Sequence, residues 1–73
     1  GMTVVGKRAE DFRQAIAKLG YPVLVKASLG GGGKGMRIVR GEAELDRAVA
    51  AGRREAKSAF GDESVYLEKY IEG

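Results

Sequence analysis

The fold depends on one stretch, residues 23–39, which reads VLVKASLGGGGKGMRIV. Its β-branched and apolar ends predict two short strands, over residues 23–26 and 36–40, and the glycine run between them predicts a loop. Two strands joined in this way form an antiparallel β-hairpin with a long glycine tip. Side chains alternate along each strand, so Leu24 and Lys26 share the face opposite the two valines.

The loop has the composition of an anion-binding flap. It contains five glycines, and the basic side chains of Lys26, Lys34 and Arg37 lie in or beside it. A glycine run lets the backbone approach a ligand and point several N–H groups at it, and such concave sets of amides bind phosphate. Lys26 ends an apolar strand, and its long stem allows the ammonium to reach a ligand oxygen. We therefore expect a mobile flap over the phosphates of a nucleotide.

Helical periodicity on both sides of the hairpin predicts two helices. Apolar side chains recur at i, i+3, i+4 and i+7 within residues 7–19, and residues 42–60 carry a similar stripe. Gly20 is expected to end the first helix in a left-handed conformation, and Pro22 prevents its continuation. Gly52 lies within the second stripe, which indicates close packing on a sheet.

A third strand is predicted over residues 65–71, whereas residues 2–6 are compatible with either a frayed end or a short edge strand. The order α-β-β-α-β with a hairpin predicts an α+β fold, in which two helices cover one face of a small antiparallel sheet of about three strands. We expect residues 1–6 to be a tag scar and linker remnant, and residues 7–73 to be one domain excised from a longer chain.

Composition excludes several kinds of site within this chain. Its 73 residues form at most one small domain, and they include no cysteine and no histidine. A thiolate metal site and a Ser-His-Asp triad are therefore excluded here. No apolar run approaches the ~20 residues of a membrane span, so we expect no membrane partner and a cytoplasmic or mitochondrial-matrix location. The net charge of +3 and the absence of aromatic residues from the basic loop argue against a nucleic-acid partner.

Three known glycine motifs fit the loop poorly. A Walker A loop opens a helix and ends in Gly-Lys-Ser/Thr, but Gly35 follows Lys34, and Ser28 replaces the first glycine. The spacing of Gly30, Gly32 and Gly35 matches the G-x-G-x-x-G motif of Rossmann units, yet a β-rich segment follows instead of a helix. Protein kinases also place a glycine loop between two antiparallel strands, but their phosphate-binding lysine lies on a later strand, whereas Lys26 precedes the loop. A hairpin tip without any ligand remains an alternative, although ordering glycine and lysine for structure alone is costly.

Several short motifs, in a specific order and spacing, produce a resemblance to a known family. They are Gly20-Tyr21-Pro22-Val23, Lys26-Ala27-Ser28, Gly30 to Gly33, Lys34-Gly35-Met36-Arg37, Arg54-Glu55-Ala56 and Leu67-Glu68-Lys69-Tyr70-Ile71-Glu72. With these motifs the chain resembles the biotin carboxylase family of the ATP-grasp superfamily over most of residues 20–72. It looks like the lid, or B subdomain, of the biotin carboxylase component of an acyl-CoA or pyruvate carboxylase. Leu29 and Lys34 differ from the glycine and arginine of some members.

The resemblance implies a role for each matching residue. Lys26 corresponds to the lysine that contacts the ATP phosphates, the glycine loop closes over the triphosphate, and Met36 is an apolar contact near the nucleotide. Glu68, Lys69 and Ile71 fall on the segment that meets the adenine, largely through backbone groups that a strand edge can offer. The implied nucleotide-binding residues are Lys26, Gly30, Gly31, Gly32, Gly33, Lys34, Gly35, Met36, Glu68, Lys69 and Ile71.

The resemblance also implies the reaction of a longer parent. In this family ATP and bicarbonate form carboxyphosphate, and the carboxyl group passes to biotin on a carrier protein. The Mg²⁺-binding acidic residues, the bicarbonate and biotin sites and the catalytic base have no match here, so we expect no catalytic or metal-binding residue and no activity from this chain alone. The implied partners are the remainder of the biotin carboxylase chain, the biotin carboxyl carrier protein and the carboxyltransferase.

Two other functions remain open at this point. One is the lid of a different ATP-grasp ligase, such as carbamoyl-phosphate synthetase, although the run Lys26-Ala27-Ser28 and the unbroken glycine tetrad argue against it. The other is a non-enzymatic module that binds RNA or phosphate through the basic loop.

Overall fold

The computed structural model describes residues 3–27 and 36–71, which form one antiparallel sheet and two helices. In chain order the elements are β1 (Thr3–Gly6), α1 (Glu10–Leu19), β2 (Val23–Lys26), β3 (Met36–Val39), α2 (Glu42–Phe60) and β4 (Val65–Lys69). The strands lie in the order β1-β4-β2-β3, and each neighbouring pair is antiparallel. The predicted α+β class and the β2–β3 hairpin are confirmed. Neither described helix is long and apolar enough to cross a membrane.

The sheet has four strands instead of about three, because β1 adds an edge strand beside β4. Thr3 pairs with Glu68 at one end of this ladder, and Gly6 pairs with Val65 at the other. Only Val4 turns toward the core, while Val5 is 59% exposed. A strand with one core-facing apolar side chain has almost no local signal, so its pairing with β4 decides its conformation. We expected residues 1–6 to be a tag scar and linker remnant, but residues Thr3–Gly6 of this range form a strand of the sheet.

The first helix begins at Glu10, three residues later than predicted. The carboxylate of Asp11 accepts hydrogen bonds from the backbone N–H groups of Lys7 and Arg8, at 2.9 and 3.0 Å. These bonds hold residues 7 and 8 in a turn ahead of the helix, because the Asp11 side chain, within the first turn, reaches back to the preceding backbone. Gly20 ends the helix with φ +75° and ψ 160°, so its positive φ was predicted correctly, but the left-handed helical conformation was wrong.

Both β2 and α2 have the predicted bounds, whereas β3 and β4 are shorter than expected. The end of β4 has a clear cause. Tyr70 still donates its N–H to the Pro22 carbonyl at 3.2 Å, but proline has no N–H to return a hydrogen bond. The β2–β4 ladder therefore stops at Lys69. At the end of α2, Gly61 takes the left-handed conformation, with φ +73°, and its N–H bonds to Lys57.

One face of the sheet packs against both helices and forms the core. The buried residues of this cluster are Phe12, Ile16, Val23, Val25, Val39, Leu45, Ala48, Val49, Val65 and Leu67. Gly52 of α2 lies directly on the sheet, since a Cβ atom there would be 3.4 Å from Val65 Cγ1 and 3.6 Å from Val25 Cγ1. The predicted close packing at Gly52 is therefore confirmed. The opposite face of the sheet has neither described helix over it, and we call it the open face.

Candidate functional site

The strand register brings two rows of side chains together on the open face. The rows are Val5, Tyr66, Lys26 and Met36, and beside them Thr3, Glu68, Leu24 and Ile38. The row with Lys26 lies at the end of the hairpin where residues 28–35 connect β2 to β3. Five of the residues implied by the resemblance lie in the described part of the chain. Lys26 and Met36 belong to this row, Glu68 and Lys69 lie on β4, and Ile71 follows β4.

The centre of the open face is an ion pair between adjacent strands. Lys26 Nζ lies 3.5 Å from Glu68 Oε2, and the two side chains are 12% and 32% exposed. The Thr3 hydroxyl donates a hydrogen bond of 3.0 Å to the same carboxylate oxygen. Glu68 pairs with Leu24, so Lys26 is its diagonal neighbour across the ladder, a distance that long side chains can bridge. The lysine is thereby held over the sheet by a carboxylate that β1 also contacts.

An apolar strip lies beside this cation. Met36 and Ile38 on β3 are each 39% exposed, and Leu24 on β2 is half-buried next to them. An ammonium has three N–H donors, so Lys26 keeps the capacity to bind an anionic oxygen while one donor faces Glu68. A cation beside an exposed apolar strip fits a ligand that combines an anionic group with a flat apolar group. A nucleotide has this combination.

Lys69 does not join this group. Its side chain lies on the helix side of the sheet, and its Nζ donates hydrogen bonds to the Gly20 and Tyr21 carbonyl oxygens at 3.2 and 3.0 Å. Those carbonyls follow the end of α1, where a lysine can satisfy unpaired acceptors and interact well with the helix dipole. The structure thus gives the Lys69 side chain a structural contact, on the face opposite Lys26 and Glu68.

The strand edge that we expected at Glu68 and Lys69 is not there. β4 lies between β1 and β2, so both residues belong to an interior strand. The first backbone acceptor beyond the ladder is the Tyr70 carbonyl, because Pro22 has no N–H to offer it. Ile71 follows directly and is 81% exposed. Any backbone contact with a ligand is therefore expected at Tyr70 and Ile71, past the end of the strand.

Six of the predicted residues lie outside the described part of the chain: Gly30, Gly31, Gly32, Gly33, Lys34 and Gly35. Their roles stay predictions. Lys26 pairs with Met36, so the strand residues that lie before and after this segment in the chain are neighbours on the open face. The described residues contain no group of three acidic, histidine or cysteine side chains that could hold a metal ion.

Two residues of the open face, Tyr66 and Thr3, were not among the site residues predicted from the sequence. Tyr66 pairs with Lys26 and is half-buried, and its place in the alternation of β4, on the same face as Glu68, was a usable signal. Thr3 had no such signal, since its contact with Glu68 spans 65 positions of the chain. Only the pairing of β1 with β4 brings that hydroxyl to the site.

Comparison with known sequences identifies the family. The family described as "Carbamoyl-phosphate synthase L chain, ATP binding domain" matches residues 1–73. The mitochondrial methylcrotonoyl-CoA carboxylase subunit alpha of Dictyostelium discoideum is 49% identical over an alignment of 74 positions, which covers 94% of this chain and 11% of that protein. The pyruvate carboxylase of Bacillus subtilis is 57% identical over 63 residues, which are 86% of this chain and 5% of that protein.

The fold agrees with these sequence matches. The biotin carboxylase domain of the Hydrogenobacter thermophilus 2-oxoglutarate carboxylase, solved with MgADP, ADP and bicarbonate, superposes with a TM-score of 0.78 at 50% identity. The superposition covers 90% of this chain and 15% of that one. The chain thus spans only a small part of the proteins it matches. It belongs to the family of carbamoyl-phosphate synthase L chain ATP-binding domains, and within that family it is similar to biotin carboxylases.

Proposed function

We propose that this chain is the nucleotide-covering lid of a biotin carboxylase, an ATP-dependent ligase that carboxylates biotin with bicarbonate. The observation that carries the proposal is the position of Lys26. Its ammonium lies on the open face, beside the apolar strip of Met36 and Ile38, at the base of the glycine hairpin. The carboxylase names of the similar proteins support this function over that of a carbamoyl-phosphate synthetase lid.

In this proposal the chain binds and orients ATP and performs no bond-breaking step itself. Lys26 binds the phosphate oxygens, and Gly30 to Gly35 with Lys34 close over the triphosphate through backbone N–H groups. Met36 lies near the nucleotide. The end of β4, after Glu68 and Lys69, lies near the adenine, which the backbone groups of Tyr70 and Ile71 contact. Such a lid positions the reacting groups, stabilises phosphate charge and excludes water, effects that are largest in a closed site.

The other components of the reaction come from outside this chain. We propose that Mg²⁺, bicarbonate and the catalytic base are held by the remainder of a longer biotin carboxylase chain. A biotin carboxyl carrier protein and a carboxyltransferase are the expected partners, in the cytoplasm or the mitochondrial matrix. Because the chain supplies only one side of the nucleotide site, we expect it to bind ATP weakly, with a Kd of about 1 mM or above. It should show no carboxylase activity alone.

A titration of the ¹⁵N-labelled chain with ATP, followed by NMR, tests the proposal. We expect the amide shifts to concentrate at residues 24–36 and at Tyr70 and Ile71. Lys26→Met should abolish these shifts, whereas Lys18→Met removes the same charge from an exposed site on α1 and should preserve them. Shifts confined to the helix side, or unchanged by Lys26→Met, would contradict the proposed site.

Two further measurements separate the proposal from its alternatives. We expect no ATP- and bicarbonate-dependent carboxylation of free biotin by this chain, and measurable activity would overturn the inactive-lid interpretation. An RNA oligonucleotide should bind no better than ATP. Salt-sensitive RNA binding that survives Lys26→Ala but is lost in Lys34→Glu would instead favour a non-enzymatic RNA-binding module.

A further inference from the structure

A groove on the helix side of the molecule carries charges that the proposed nucleotide site does not use. It lies where α2 meets the edge strand β3 and has a volume of about 610 Å³. Its lining includes the small side chains of Ala48 and Ala51, and Ile38 borders it from the edge strand. Arg47 and Arg54 are exposed on its wall and lie seven residues apart on α2. Positions seven apart lie on the same face of a helix, with a rise of about 10 Å between them.

The two guanidinium groups differ from the other cations near α2. Arg37 pairs with Glu55, and Arg53 and Lys57 both pair with Glu63, the arginine at 3.1 Å. The side chains of Arg47 and Arg54 make no hydrogen bond or ion pair with any other described residue. A neighbouring groove of about 400 Å³ shares Arg54 but is less suited to an anion, because its other cations, Arg53 and Lys57, are paired with Glu63, which also lines it.

The groove favours a helix over a nucleic acid or an added strand. Single-stranded nucleic acids need aromatic platforms, and none of the residues that line the groove is aromatic. Glu44 on the same wall would repel a continuous polyanion. The Tyr70 N–H bonds to the Pro22 carbonyl, so by alternation the backbone N–H and C=O groups of Val23 and Val25 point toward β3. Their partners on β3 point back toward β2. Between the ends of β3, only Ile38 then points both backbone groups away from the sheet. One such residue is a small template for a further strand.

We propose that this groove docks an acidic amphipathic helix of a separate partner protein, with two carboxylates seven residues apart placed on Arg47 and Arg54. Arginine binds carboxylates in a bidentate geometry, and the small side chain of Ala51 allows another helix to approach closely. Apart from Ile38, the residues that line the groove do not belong to the open face, so a partner could bind while nucleotide is covered there. The proposal does not depend on the nucleotide function.

A synthetic peptide tests the docking directly. The probe is a 16-residue alanine-based helical peptide with two glutamates seven residues apart and a leucine between them, and its control has glutamine at both positions. NMR titration of the ¹⁵N-labelled chain should map the glutamate peptide to β3 and α2. We expect the glutamine peptide to bind about ten-fold more weakly, as two partly exposed ion pairs are lost.

Matched variants of the chain complete the test. Arg47→Gln with Arg54→Gln should remove the preference for the glutamate peptide, so that the two peptides bind with the same affinity. Arg8→Gln with Lys18→Gln removes the same two positive charges from outside the groove and should keep the ten-fold preference. Thermal unfolding by circular dichroism checks that both variants are folded.

Several outcomes would overturn the inference. They are equal binding of the two peptides by the unmodified chain, no binding of the glutamate peptide below about 5 mM, or equal losses in the two double variants. Peptide-induced shifts on the open face, or along β3 alone in the pattern of an added strand, would also exclude a docked helix. A single-stranded RNA oligonucleotide that binds at Arg47 and Arg54 more tightly than the glutamate peptide would indicate a different class of partner.

Discussion

Lys69 Nζ donates a hydrogen bond of 3.0 Å to the carbonyl oxygen of Tyr21, and this contact ties the end of β4 to the end of α1. A second bond from the same ammonium reaches Gly20. The motif comparison implied a place near adenine for this lysine, yet its side chain lies on the opposite face of the sheet from Lys26. The Lys69 ammonium therefore has a structural role, as the donor to these two carbonyl oxygens.

Lys69→Met should therefore act on stability. The methionine keeps an apolar stem but leaves two carbonyls without their charged donor, so we expect the free energy of unfolding to fall by about 1–2 kcal/mol. Urea denaturation measures this change. Lys18→Met removes a lysine from the exposed side of α1 and should change stability by less than about 0.5 kcal/mol. Equal effects of the two variants would argue against the structural role of Lys69.

Phe12 is the side chain on which the α1 packing depends most. It is fully buried against the sheet, within the cluster that both helices share. Phe12→Ala should destabilise the chain by about 3–5 kcal/mol, through lost burial and the cavity left behind. A domain of this size has a total stability of roughly 4–11 kcal/mol, so this loss removes a large share of it, and urea denaturation should show a much lower midpoint. Phe60→Ala is the control, since Phe60 is 62% exposed and should change stability little.

Two glycines of the fold should respond in opposite directions to alanine. At Gly52 the added Cβ would lie 3.4 Å from Val65 Cγ1, an ordinary contact, and alanine favours a helix interior by about 1 kcal/mol. Gly52→Ala should therefore raise the free energy of unfolding by about 0.5–1 kcal/mol. At Gly6 the Cβ would lie only 2.7 Å from Asp11 Cβ and 3.0 Å from buried Phe12, so Gly6→Ala should cost about 1–3 kcal/mol. Urea midpoints measure whether each variant is more or less stable than the unmodified chain. A destabilised Gly52→Ala would show that the added methyl group does not fit between α2 and the sheet.

Acid should destabilise the fold through three carboxylates. Hydrogen bonds from the Lys7 and Arg8 backbone lower the pKa of Asp11, and those from Ser64 lower the pKa of Asp62. The Arg53 guanidinium lowers the pKa of Glu63, first by a hydrogen bond and then by its charge.

Because these pKa values are lower in the folded state, the unfolded chain binds protons first as pH falls. The stabilisation is complete above the ordinary pKa values of 3.8 and 4.5 and is lost as pH falls through the folded-state values. Urea midpoints measured between about pH 6 and pH 2.5 should therefore decrease toward acid. Asp11→Asn should show a shallower decrease, and an unchanged slope would mean that Asp11 does not contribute.

The candidate site was only partly accessible from the sequence. Lys26 and Met36 could be placed because a short strand, a glycine run and a second strand constrain each other locally, and their pairing across the hairpin follows from that order. The Thr3–Glu68 contact and the partners of Lys69 depend on residues 65 and 48–49 positions apart. No local pattern specifies such contacts, since they arise when β4 inserts between β1 and β2.

The sequence alone determined the elements whose signals are local. Helical periodicity and the bounding glycines placed α2 at residues 42–60, and β-branched alternation placed β2 at residues 23–26, both as observed. Only the tertiary structure decided that Thr3–Gly6 is a strand and that β4 is interior. It also decided that Lys26 meets Glu68 on a face that neither described helix covers. Strand order and long-range hydrogen bonds depend on which surfaces can be buried together, and that choice is made by the whole chain at once.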